Sequence, residues 1–185
     1  TLFRSRDRSI RTVIKAIYDD NPQIFWLDDT YGQLIDTDNN RTIVQMYSRY
    51  SPETIRQMNE AISSALSELF QMIPSGLDEY GVEKYVHDYL LDTCEYDKDV
   101  SDDAAYTDAH REIYMPYGAL VGHKAVCEGY SRAMQLILNR LGLGCACICG
   151  DGDGDLHMWN GVKIDGDWYS VDLTWDDQED TILRY

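Results

Sequence analysis

Residues 127–141 carry one apolar stripe, and a strand–turn–strand signal follows within twenty residues. Tyr130, Met134, Ile137, Leu138 and Leu141 recur at helical spacing, and Gly142 stands where a C′ glycine ends a helix. Residues 157–162 and 168–173 flank Ile164-Asp165-Gly166-Asp167, and Asp-Gly is a strong two-residue hairpin turn. A striped helix beside an antiparallel hairpin has one economical solution: the stripe buries against a sheet face. The expected class is therefore α+β, with the Cys127 helix packed on an antiparallel sheet.

That arrangement brings chemistry together. Cys127 falls at the helix N-terminus, where unpaired backbone N–H groups and the macrodipole favour a thiolate. Glu128 suits a first turn but opposes thiolate formation, and Gly129 lets a neighbour approach closely. With Asp165 and Gly166 as the loop, Asp172 pairs across from Trp159, and His157 lies two residues along on the same face. Such diagonal neighbours are roughly 7–8 Å apart, within reach of long side chains. Cys127, His157 and Asp172 are thus candidates for a nucleophile, a base and the carboxylate that orients the base, the minimal apparatus of covalent acyl transfer. The Cys127 N–H is the first candidate oxyanion donor, with Tyr117 in the preceding loop as the second. Trp159, Trp175 and Tyr117 are candidate cleft residues, whereas Trp168 is expected to serve the core.

The wording around these positions resembles a known family. Tyr117-Gly118-Ala119-Leu120, Ala125-Val126-Cys127-Glu128-Gly129-Tyr130, His157-Met158-Trp159-Asn160 and Asp172-Leu173-Thr174-Trp175-Asp176-Asp177 are similar to the bacterial transglutaminase-like superfamily. More narrowly, they resemble the transglutaminase-like proteins of Gram-positive gut bacteria. Asn21-Pro22-Gln23-Ile24-Phe25-Trp26, His87-Asp88-Tyr89-Leu90 and Tyr96-Asp97 extend the likeness upstream. The resemblance implies a papain-like fold, a Cys127–His157–Asp172 triad and thiol-dependent acyl transfer on peptide or protein amides. Transfer to water or to an amine uses the same residues. It also implies an extracellular or cell-envelope location in a bacterium and no cofactor. The competing class is a non-catalytic binding or scaffold module that keeps the fold.

Length and composition fit a single domain across 1–185, with a helical N-terminal part to about 113 and a catalytic core over about 114–177. The resemblance implies that the Thr-Trp segment leads into a further strand, so the C-terminal sheet is expected to be cut short at Tyr185. Residues 10–17 and 55–69 carry helical stripes, the second opened by Ser51-Pro52, and a third helix is expected over 79–91. Thr42–Tyr47 reads as a strand, and the Asp-rich 95–113 as a long loop. The start is charged, without the apolar region of a signal peptide, and no run is long enough for a transmembrane helix.

With 33 acids against 16 bases the net charge is −17, which disfavours nucleic acid and anionic membranes as partners. Five cysteines, an odd number, leave at least one thiol free. Cys145, Cys147 and Cys149 alternate with Ala146 and Ile148, as on one face of a strand, and are read as packing against the Cys127 helix. Gly150–Asp155 has the look of a calcium loop but lacks the turn glycine and the terminal Glu, so it reads as a flexible connector without metal.

Overall fold

The computed structural model describes residues 2–98, 108–152 and 154–176. The chain opens with α1 (Leu2–Asp20), broken by Asn21-Pro22, and a hairpin of β1 (Leu27–Asp36) and β2 (Arg41–Ser48). Two helices follow, α2 (Pro52–Met72) and α3 (Glu79–Thr93). A short parallel pair, β3 (Glu95–Tyr96) and β4 (Lys124–Ala125), leads into α4 (Cys127–Leu141). An antiparallel sheet ordered β5 (Cys145–Gly152), β6 (Asp155–Ile164) and β7 (Asp167–Val171) completes the core, with α5 (Leu173–Asp176) after it. This is the α+β arrangement the sequence called for.

Local signals act where they were expected. Ser51 Oγ accepts the Thr54 N–H at 3.1 Å with Pro52 in the first turn, and Met58, Ile62, Leu66 and Leu69 form the buried face of α2. Asp78 caps α3 through the Gly81 N–H at 2.8 Å. Asp165 (φ 52°) and Gly166 (φ 94°) both take left-handed backbone, as a type I′ hairpin turn requires.

The centre of the molecule is α4, buried at every residue from Gly129 to Leu138. The sheet covers one side, and α3, α5 and the turn at Asp108–Tyr114 pack on others. The helix is therefore surrounded rather than laid on a single face, and three polar residues, Ser131, Arg132 and Gln135, are enclosed with it. Arg132 Nε donates to Glu128 at 2.8 Å, Nη2 to Asp19 at 3.1 Å, and the guanidinium sits 4.0 Å from the Tyr18 ring centroid. Gln135 donates to the Asp19 carbonyl at 3.0 Å. Paired in this way, a buried cation avoids most of the cost of leaving water and fastens the end of α1 to α4.

One strand was missed and three expectations need correction. The strand expected at Thr42–Tyr47 lies within β2, and the missed β1 pairs along it from Asp36↔Arg41 towards Leu27↔Ser48. The acidic, glycine-containing wording of β1 has no clean alternation, so only its partner was visible. Trp168 is 59% exposed on β7 and does not serve the core. Gly150–Gly152 and Asp155 are strand residues of β5 and β6, not a flexible connector, although Asp153 lies outside the described residues. Of the cysteine row, Cys145 is buried and Cys147 half-buried with its thiol on Gln135 of α4, while Cys149 is exposed. The loop expected at 95–113 lies partly at 99–107, outside the described residues; 108–114 form a 3₁₀ turn. Among the described residues no helix is long and apolar enough to cross a membrane.

Candidate active site

Cys127 is the first residue of α4 and follows an extended Val126. The Val126 N–H bonds the Ile113 carbonyl at 3.1 Å, and a Cβ at Gly129 would stand only 2.1 Å from that same oxygen. The glycine is therefore required by the close approach that fixes the start of the helix. The thiol does not behave as its position at a helix N-terminus suggested. Burial pushes it above the ordinary thiol range, and the charges of Glu128 and Asp172 push the same way. Backbone N–H groups of Met158 and Glu128 act on the sulfur in the opposite sense and lose.

His157 lies next to Met158 on β6. Its Nε2 meets Asp172 Oδ2 at 2.7 Å, so the carboxylate engages that nitrogen and Nδ1 is the other ring nitrogen. The imidazole stacks on Trp159 at 6.0 Å and on Trp175 at 5.4 Å between centroids, within 23° and 15° of parallel. The last strand pair is Asn160↔Val171, so Asp172 stands where the next pair with Trp159 would fall. Here β7 ends and Asp172 caps α5. Its Oδ1 accepts from the Thr174 N–H at 3.2 Å, the Thr174 hydroxyl at 2.9 Å and the Trp175 N–H at 3.3 Å. One carboxylate oxygen thus builds the turn that carries Trp175, and the other holds the imidazole. From the far side, His87 on α3 reaches Asp176 of α5 at 3.3 Å.

Two ties join the helix bearing the thiol to the strand bearing the imidazole. Ser131 Oγ donates to the Met158 carbonyl at 3.1 Å, and Asn160 Nδ2 donates to the Ser131 carbonyl at 2.9 Å. Asn160 is fully buried, so these bonds are not contested by water. Strand β5 gives the site room. A Cβ at Gly152 would lie 2.7 Å from His157 Cβ, and one at Gly150 would lie 2.5 Å from the Trp159 ring. The repeated glycines that look like an ion loop are spaces for the imidazole and the indole beside it.

The structure brings His157, Asp172, Trp159 and Trp175 into one cluster, with Cys127 against the adjoining Met158. Tyr117 is half-buried against the core at the start of the turn Gly118–Gly122. A different tyrosine lies at the thiol. Tyr96 pairs with Ala125, stacks on Tyr130 at 6.5 Å, and its hydroxyl oxygen receives the Cys127 N–H. Burial raises that phenol, and the nearby Cys127 and Asp172 reinforce the effect, so it stays protonated. Sequence reasoning quoted Tyr96 and Asn160 inside motifs but gave neither a place in the site, because strand pairs of two residues carry no periodicity.

The family model for the transglutaminase-like superfamily matches residues 69–173, and the chain belongs to that superfamily. Among solved structures, a transglutaminase aligns with a TM-score of 0.55 and 18% identity over 93% of this chain. The chain spans 49% of that structure's length. A cysteine-protease candidate from Cytophaga hutchinsonii aligns with a TM-score of 0.46 and 11% identity, over 78% of this chain and 61% of its own. A protease candidate from Parabacteroides distasonis aligns at 0.43 and 9%, over 76% and 35%. No curated protein sequence matches the chain. The fold and family are those of thiol-dependent enzymes.

Proposed function

We propose that the chain catalyses thiol-dependent acyl transfer on peptide or protein amides, with Cys127 as nucleophile, His157 as base and Asp172 as the residue that orients it. The observation that carries this reading is the His157–Asp172 contact of 2.7 Å, clamped between two indoles one residue from the Met158 N–H that reaches the thiol. A raised thiol keeps its proton until substrate binds, and an imidazole oriented by a carboxylate can then take it. His157 Nδ1 takes that proton and the sulfur attacks the amide carbonyl carbon. The Tyr96 O–H, whose oxygen takes the Cys127 N–H, is the donor we assign to the oxygen that gains charge. The C–N bond then breaks, and the amine leaves with the proton from the imidazolium. Water or a second amine, deprotonated by His157, releases the acyl group from the thioester. Throughout, Asp172 holds the Nε2 proton, so the tautomer is fixed.

We place such an activity in the bacterial envelope or outside the cell, on peptide or protein substrates and without a cofactor. Incubating the protein with a peptide library and a labelled primary amine tests the reaction. New carboxyl termini mark hydrolysis, and incorporated label marks amine transfer. Either product should vanish in Cys127→Ala. Turnover that survives this substitution, or no product from the native chain, would move the binding-module reading ahead.

A further inference from the structure

Helix α5 is a single turn, and it carries one of the two indoles that clamp the imidazole. A helix that short has no stability of its own, because fixing the first turn costs more than its hydrogen bond returns. Its orientation must be imposed by what it touches. Asp172 holds the first end, accepting the Thr174 and Trp175 N–H groups at 3.2 and 3.3 Å, and Leu173 is buried. Trp175 itself is 53% exposed, so its stack on His157 at 5.4 Å depends on where the turn stands.

The other end is held from α3. His87 is buried on that helix along with Glu83, Val86, Leu90 and Leu91. Its Nδ1 meets Asp88 Oδ1 at 3.2 Å, and its Nε2 crosses to Asp176 Oδ2 at 3.3 Å. The first contact joins neighbours in the chain, and Lys84 engages the same Asp88 at 2.9 Å, so the ring stands on α3. The second spans 89 positions and ends on the residue after Trp175. A histidine that only needed a partner in the core would have one in Asp88; the tie to α5 does something more. The two ends of the turn thus serve one imidazole. Asp172 touches His157 directly at 2.7 Å, and Asp176 steadies the segment from which Trp175 reaches it.

Resting on the acyl-transfer reading for its consequence, we infer that His87 is a positioning residue of the reaction. Through Asp176 it holds α5 so that Trp175 and Asp172 keep the His157 ring in place.

Two readouts test this. The first needs no substrate: the ring-proton resonances of His157, which the stacked indoles shift upfield. Trp175→Ala supplies the reference for an imidazole that has lost one wall. In His87→Leu the resonances should move most of the way to that reference. In His87→Gln, whose amide N–H can still donate to Asp176, they should stay near native. The second readout is product formation from the peptide library and labelled amine. His87→Leu should slow it about tenfold, and His87→Gln should restore it. If His87→Leu lowers the thermal midpoint, Asp176→Ala takes its place, because Asp176 is the more exposed partner, and Asp176→Asn, which keeps an acceptor oxygen, becomes the rescue. Glu79→Ala cuts a different tie of α3, to the Asp165 N–H at 2.7 Å beyond the far end of β6, and should leave both readouts native. The assignment is overturned by native resonances in both His87→Leu and Asp176→Ala, or by a shift that the conservative variants fail to reverse. An equal shift in Glu79→Ala, or shifted resonances with native product formation, would overturn it too. Failure of the acyl-transfer reading shows separately, as no product from the native chain, and the resonances then decide the tie by themselves.

Discussion

Two antiparallel hairpins, β1–β2 and β6–β7, solve different problems. In β6, Met158, Asn160 and Val162 are buried against α4, at 7%, 0% and 0% exposure. No residue of β2 is buried, and the directly paired Leu34 and Ile43 are 63% and 42% exposed. Pairing satisfies the backbone in both, but only a strand with a helix over it gains from burying its side chains. The N-terminal ribbon is held at its base by the Arg49–Asp28 ion pair. The difference explains why chemistry sits on the second hairpin: a base must keep its angle to a nucleophile, and only a packed face fixes one.

The sharpest test of the contrast is catalytic. Cys127→Ala and His157→Ala should each remove nearly all turnover, on the order of 10⁶-fold, because members of a triad act as a unit. Asp172→Asn should cost about 10³–10⁴-fold through the wrong tautomer. The same assays on variants of the exposed Leu34 or Ile43 should show native rates, and a large loss there would break the comparison.

Stability follows the same division. Ile137→Ala, within the enclosed run of α4, should lower unfolding free energy by about 2–5 kcal/mol in urea titrations. Gly152→Ala should leave the protein folded but push His157 aside, lowering kcat about 10²-fold, since misplacing a catalytic group by a fraction of its size is enough. Native kcat in this variant would show that β5 does not set the imidazole's place.

Alkaline pH should weaken the packed half. Burial pushes the Cys147 thiol up to about 12 and Cys145 further, while the nearby Arg132 pulls Cys147 back only in part. A group raised in the folded state favours folding fully below its unfolded value, about 8.5, and that contribution is lost as pH climbs towards the folded value. Unfolding free energy should therefore fall between about pH 8.5 and 12, and Cys147→Ala should flatten the decline. A profile level across that window would mean the thiols are wetter than the packing suggests. The smallest effect belongs to Leu34→Ala, within about 0.5 kcal/mol of native stability, as for other exposed positions.

Much of the core was legible because it depends on short-range pattern. The cap at Ser51, the Asp165-Gly166 turn and the stripe of α4 are read from neighbours in the chain. The register followed from the turn, and with it the facing of His157 and Asp172. Less visible were features made by distant segments. Strand β1 lacks alternation, Trp168 looks like a core residue but lies on the open face of β7, and Tyr96 reaches the site only through a two-residue pairing.

Residue order alone therefore established the family wording, the α+β class, the hairpin register and the identity of the three candidate groups. Tertiary structure decided the state of the thiol. A helix N-terminus lowers it and enclosure raises it, and enclosure by β6 and Asp172 is set by residues thirty and more positions away. The same holds for a cavity of about 370 Å³ whose walls come from α1, β1, Arg49 after β2, the 3₁₀ turn and the first turn of α4, and share no motif. Periodicity and capping act over a few residues and can be read in order; desolvation and field depend on everything folded nearby, whatever its place in the chain.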